Sequence, residues 1–143
     1  MTIQQAIGKI KKIEKSFATI GSSILLKSMK RLEREYKERV FIKGLSSNGA
    51  KIGNYSQGWA EVRQSKGLQT AFIDLKFTGS LSKSIKTAAI DESSVVMYVD
   101  DDLNYEKKYG SWETALSVSN EEVNDLFVYF EFYFNQEIDK KLA

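Results

Sequence analysis

The chain has no cysteine, no histidine and no proline among its 143 residues. Without cysteine there is neither a disulfide framework nor a thiolate site. Without histidine there are no imidazole metal ligands and no triad of the serine-hydrolase kind. Most familiar hydrolase and zinc chemistry is thereby excluded. Without proline, nine glycines are the only strong breakers, so long helices can run uninterrupted. No apolar run approaches the roughly 18 residues that a membrane span needs. The opening MTIQQAIGKIKKIEKSF spreads lysines among isoleucines at helical spacing. It has neither the compact apolar centre nor the small-residue cleavage site of a signal peptide, which predicts a protein made and kept in the cytoplasm.

What is present is the composition of a soluble globular protein, 42% apolar and 28% charged. The length fits a single domain, 1–143, that buries roughly two thirds of its unfolded surface. The net charge is only +2 but is unevenly spread. Residues 1–42 carry ten Lys/Arg against four Asp/Glu, residues 43–88 seven against two, and residues 89–143 four against thirteen. A basic front and an acidic back can pair within one fold or between neighbours in a head-to-tail ring, where complementary fields fix register.

Periodicity divides the chain into a helical region (1–42), a long loop (43–68), antiparallel strands (69–100) and closing helices (101–143). Ile3, Ile10, Phe17 and Ile24, with Ala6, Ile13 and Ile20, set a heptad-like stripe. The stripe slips to Leu25, Met29, Leu32, Tyr36 and Val40 at Gly21-Ser22-Ser23, which predicts a kink or two helices there. Charges at i,i+4, Arg31 with Glu35 and Glu35 with Arg39, support a solvated face. The segment 43–68 has five glycines, the Asn48-Gly49 turn pair and no periodicity, so it reads as a loop long enough to serve a partner. Its Tyr55, Trp59 and Arg63 are of the types enriched at interface hot spots.

Gln69–Phe77 alternates, with Ala71, Ile73, Leu75 and Phe77 on one side, and predicts a strand. Thr78-Gly79 turns the chain, and Thr78 caps a single helical turn carrying Leu81 before Ile85 opens the next extended run. Ile85–Ile90 and Val95–Val99 read as a hairpin, giving a sheet of three or more strands. Asp100-Asp101-Asp102 precedes a short helix ending at Gly110. Ser119-x-x-Glu122 is a capping box that opens a last helix with the stripe Val123, Leu126 or Phe127, Phe130, Phe134 and Ile138. Its aromatics wrap more than one face, so it needs a second packing surface, which a neighbouring subunit would supply. The fold class is therefore α+β.

Residue types leave little room for reaction chemistry. Asp100, Asp101 and Asp102 suit the positive end of a helix at least as well as a divalent cation, because the spaced ligands and central glycine of a calcium loop are missing. The acids of the last third offer no distinguished carboxylate pair. Lys9, Lys11, Lys12 and Lys15 form a basic cluster that reads as a solvated helix face, or else as a non-specific contact to nucleic-acid phosphates. No phosphate loop or RNA-binding aromatic signature is present. The isoleucine stripe beside these lysines suits helix packing better than a membrane surface. No catalytic residue, cofactor or metal is expected.

The run NGAKIGNYSQGWAEVRQSKGLQTAFIDLKFTGSLSKSI, residues 48–85, supplies the specific signal. Its order Asn48-Gly49, Ile52-Gly53-x-Tyr55-Ser56, Arg63, Gly67 and Asp74-Leu75-x-x-Thr78-Gly79-x-Leu81-x-x-Ser84-Ile85 resembles the head-to-tail connector and tail-completion proteins of tailed bacteriophages. The resemblance covers about residues 30–140. The proline-containing segment often placed before the last helix in that family is missing. The resemblance implies a small α+β virion protein, made in the host cytoplasm, that docks as a ring of six or twelve copies between portal and tail. Its partners would be copies of itself and the portal or adjacent neck and tail proteins, with possible non-specific contact to packaged DNA. It implies structural roles for Thr78, Gly79, Leu81 and Ile85, and assembly rather than catalysis. The alternatives are an accessory protein that binds nucleic acid through the basic N-terminal helix and, more weakly, a small phage-encoded enzyme.

Overall fold

A computed structural model describes residues 2–100 and 113–143. The first element, α1, is an unbroken helix from Ile3 to Lys37. Thr2 and Gln5 start it as a reciprocal cap, Thr2 Oγ1 accepting the Gln5 N–H at 3.2 Å and Gln5 Oε1 accepting the Thr2 N–H at 2.9 Å. Arg34 and Lys37 in its last turn complement the negative end of the helix dipole.

The division into two helices anticipated at Gly21 does not occur. A mid-helix glycine costs only about 0.5–1 kcal/mol relative to alanine, too little to stop a helix that has cooperative turns on both sides. The buried stripe runs Ile24, Ser28, Leu32, Tyr36 and Val40, one residue every fourth. Leu25 and Met29 are only half-buried beside it. Ser28 belongs in this row because its hydroxyl donates to the Ile24 carbonyl at 2.8 Å and needs no other partner.

α1 closes in a π-helical turn, Glu38–Ile42, in which the Lys43 N–H reaches the Glu38 carbonyl at 2.9 Å. The wider turn leaves Val40 and Phe41 both buried. Together with Tyr36, Leu81 and Ile85 they form the core, against which Ile52, Leu75, Met97 and Leu116 pack. The Tyr36 hydroxyl donates to the Leu116 carbonyl at 2.6 Å, and burial pushes its phenol up to about 12.

The segment after α1 is not one long loop. It holds a second helix, α2, Gln57–Ser65. Before it, Leu45 and Lys51 form an isolated antiparallel bridge around the Asn48-Gly49 turn. Gly44 makes this hairpin possible, since at φ 63° a Cβ would stand 2.6 Å from the Ile73 carbonyl oxygen.

The strand anticipated at 69–77 is also absent. Its one ladder-like bond is Ile73 N–H to the Gly53 carbonyl at 2.9 Å. The alternation is defeated by Asp74, whose carboxylate turns back to accept the Lys76 N–H at 3.0 Å, and by Leu75, which takes the left-handed φ of 50°. Side-chain bonding to the local backbone here outcompetes the extended ladder.

Gly79, at φ 79°, occupies the cap position of the one-turn helix α3, Ser80–Ser84. Thr78 stands one residue earlier than anticipated, yet its hydroxyl still accepts the Ser80 N–H at 3.3 Å. Leu81 is buried and Ile85 begins the first strand. The strands β1, Ile85–Ala89, and β2, Val95–Val99, form an antiparallel hairpin pairing Ile85 with Val99, Thr87 with Met97 and Ala89 with Val95. Among the described residues the sheet has these two strands and not three. α1 packs across both.

The short helix anticipated at 103–110, with Asp101 and Asp102, lies outside the described residues. A single turn, α4, Glu113–Leu116, precedes α5, Asn120–Leu142. The capping box is present, Ser119 Oγ accepting the Glu122 N–H at 3.1 Å and Glu122 Oε2 accepting the Ser119 N–H at 2.8 Å. The fold is α+β, a two-stranded antiparallel sheet packed by a long N-terminal helix that also carries the C-terminal helix.

Gly21 has no atom within 4 Å of the place a Cβ would take. Gly21→Ala should therefore stabilise the chain by about 0.5–1 kcal/mol, read as a higher urea midpoint at unchanged slope. A lower midpoint would mean that the helix breaks there after all.

Candidate functional site

The glycine-punctuated run 48–85 folds around a buried ion pair. Arg63, on the inner face of α2, is 2% exposed. Its Nη2 donates to both carboxylate oxygens of Asp74 at 3.0 and 3.1 Å. Its Nε donates to the Gln69 carbonyl at 2.9 Å, and its Nη1 to the Lys76 carbonyl at 2.9 Å.

Asp74 is equally engaged. It accepts the Tyr55 hydroxyl at 2.8 Å and Gln69 Nε2 at 2.7 Å, besides the Lys76 N–H. The Tyr55 ring lies under the guanidinium, 4.3 Å from its centroid. Burial pushes the Tyr55 phenol up, partly offset by the Asp74 N–H that it accepts and reinforced by its own bond to the Asp74 carboxylate. Each nitrogen of Arg63 and each carboxylate oxygen of Asp74 thus has a partner, which is the condition for a buried ion pair to be tolerated.

This corrects the reading of Arg63 as a contact to a neighbour, since the guanidinium is spent inside its own chain. Tyr55 likewise turns its hydroxyl inward. The missed signal was compositional. Between residues 43 and 88 only Glu61 and Asp74 are acidic, so a buried arginine in that stretch has few places to go.

Trp59 is placed differently. It is 47% exposed, and its ring stacks on Phe77 at 5.4 Å between centroids. Val62 is exposed beside it on α2, and the Lys66 ammonium lies 5.6 Å from the Phe77 centroid. The buried node fixes α2 against the 69–77 segment and so turns an aromatic patch outward. Asp100 lies apart from this patch, at the end of β2. It is ion-paired with Lys86 across the hairpin, which raises the lysine above its ordinary value. Thr78, Gly79, Leu81 and Ile85 form the turn into the sheet.

A second apolar surface lies on α5. Its inner side meets α1 through polar and aromatic contacts. Arg31 lies 3.8 Å from the Tyr129 ring centroid, Lys27 lies 4.1 Å from that of Tyr133, and Phe17 stacks on Phe134 at 6.0 Å. Of the two alternatives for the stripe, Leu126 is the half-buried one and Phe127 faces out at 68% exposure. Val128 and Phe132 are exposed as well.

Among the described residues no group of acids could hold a metal ion, and no helix is long and apolar enough to cross a membrane. In sequence and in fold the chain matches no family model, no curated protein and no solved structure.

The node predicts a non-additive pair of substitutions. Arg63→Met leaves the Asp74 charge buried without its partner and should cost about 3–5 kcal/mol in urea unfolding. Adding Asp74→Leu should recover a large part of that loss. Additive losses would show that the two side chains do not act as one unit.

Proposed function

We infer that the chain is a structural protein of a tailed-bacteriophage virion that joins the head, at its portal, to the tail as a ring of like subunits in the neck. The observation that carries this reading is the extent of apolar surface the single chain leaves in solvent. Trp59, Val62 and Phe77 form one patch, and Phe127, Val128 and Phe132 form another. Contiguous exposed aromatic surface on a small folded chain marks places where other proteins dock.

The resemblance of residues 48–85 to connector and tail-completion proteins supplies the setting. The segment carrying it builds a rigid support and a turn, as an assembly protein requires. Six or twelve copies would close the ring.

Non-specific binding of duplex DNA is a second reading, favoured by the exposure of Lys11 and Lys15 on α1. Such binding would fall steeply with added salt, because phosphate neutralisation releases counterions.

Immunogold electron microscopy of particles from the lysate that contains the chain tests the first reading. Label concentrated where head meets tail is the outcome this function requires. Particles free of label, with the antibody shown to reach its epitope, overturn it.

A further inference from the structure

α1 is 35 residues long and α5 is 23, so at about 1.5 Å per residue α1 is about 18 Å the longer. The two run antiparallel and are pinned at one end, where Arg39 Nε donates to Glu122 Oε1 at 2.6 Å. Farther along, Phe17 meets Phe134 and Lys27 meets Tyr133. Phe134 is eight residues from the end of α5 and Phe17 is fourteen from the start of α1, so past that contact α1 continues about 9 Å beyond α5, over the turns that carry Ile3 and Ile7. There Thr2–Gln5, Ile7, Gly8 and Lys11 are all exposed, Ile3 at 81% and Ile7 at 47%. Ile3, Ile7, Lys11 and Lys15 follow one another every four residues along one side of the helix.

The outward face of α5 has the complementary character. Phe127, Val128 and Phe132 stand on it, with Glu121, Glu131 and Asp139 exposed around them. Of the six carboxylates from residue 120 to 139, these three are the exposed ones, whereas Glu122 is buried against Arg39 and Glu137 is paired with Lys140. From residue 2 to 15 there are four lysines and one glutamate. Among the described side chains the first surface sets Ile3 and Ile7 beside exposed Lys11 and Lys15, and the second sets Phe127, Val128 and Phe132 beside exposed Glu121, Glu131 and Asp139, so the charges are opposite in sign.

The apolar parts of the two surfaces do not meet within a chain, because Ile3 and Ile7 lie beyond the end of α5 and Phe127, Val128 and Phe132 are exposed on its side away from α1. We propose that the start of α1 in one copy docks on the outward face of α5 in the next, Ile3 and Ile7 against Val128 and Phe132, with Lys11 and Lys15 beside the exposed α5 carboxylates. Because the two surfaces differ, the contact is heterologous and propagates head to tail, closing into a ring when the rotation allows. Opposite charge along the seam fixes its register. This deepens the ring reading above and rests on it for self-association, not for location in a particle.

The absence of cysteine makes the contact directly testable. Two single variants, Ile7→Cys and Phe132→Cys, are mixed in equal amounts and mildly oxidised, so that any mixed disulfide joins different chains. Ile7→Cys with Gln64→Cys, on the exposed side of α2, is the control, and thermal unfolding verifies that each variant is folded. If Phe132→Cys does not fold, Val128→Cys takes its place.

Docking raises the effective thiol concentration, so the mixed dimer should exceed the control by about tenfold or more. It should fall at about 1 M salt, where the Debye length is about 3 Å. A yield no greater than the control, or a predominance of Ile7→Cys homodimers, overturns the proposal. A cross-link without label at the head–tail junction keeps this interface and removes the neck location. Label at the junction without a cross-link does the reverse.

Discussion

One guanidinium fixes how the two long helices meet. Arg39 sits where α1 widens into its π-helical turn and grips Glu122 through Nε at 2.6 Å and Nη2 at 3.1 Å. The same side chain donates to the Leu45 carbonyl at 2.9 Å and the Ser117 carbonyl at 2.7 Å. Glu122 is also the acid of the capping box that starts α5. A single ion pair thus sets the end of α1, the path of the following hairpin and the origin of the C-terminal helix. Both side chains are largely withdrawn from water, so neither can leave without stranding the other's charge.

The second arginine, Arg63, does for the middle of the chain what Arg39 does for its ends. The apolar core is small, five buried residues at its centre, and it does not extend under α2. That region instead closes around the Asp74 carboxylate. Polar clamps of this kind specify geometry by direction and distance where apolar contact alone would allow sliding. The consequence is a chain whose apolar side chains are not all needed inside. Trp59, Phe77, Phe127 and Phe132 are held outward by supports that do not depend on them.

Much of this was legible in the sequence where local rules act alone. The heptad stripe announced α1, Ser119-x-x-Glu122 announced α5, and the four residues Asp91–Ser94 between two β-branched runs announced the hairpin. Gly79 takes the turn, Leu81 is buried and Ile85 opens the strand, while the cap expected at Thr78 falls to Gly79. The errors arose where a distant partner decided the outcome. Gln69–Phe77 has the alternation of a strand, but Arg63 captures Asp74 and bends the backbone at Leu75. α2 was hidden because Gly58 and its polar neighbours have weak helical pattern, and what holds it is the Arg63 side chain it presents. The glycine at 21 looked like a break because periodicity slips there, yet nothing crowds the helix at that point. Arg63 was recognised as a special residue, but its type alone did not reveal that it faces inward.

Hydrogen exchange on an Arg39→Met chain tests most directly whether the clamp sets the frame. The amides of Glu122 and Val123 bond to Ser119, and the Leu45 amide bonds to the Arg39 carbonyl at 2.9 Å. If the guanidinium holds these pieces together, those three amides lose protection while the amides of the β1–β2 ladder keep theirs. Unchanged protection at Leu45, Glu122 and Val123 would contradict it, and would place the organising interaction in the apolar core instead.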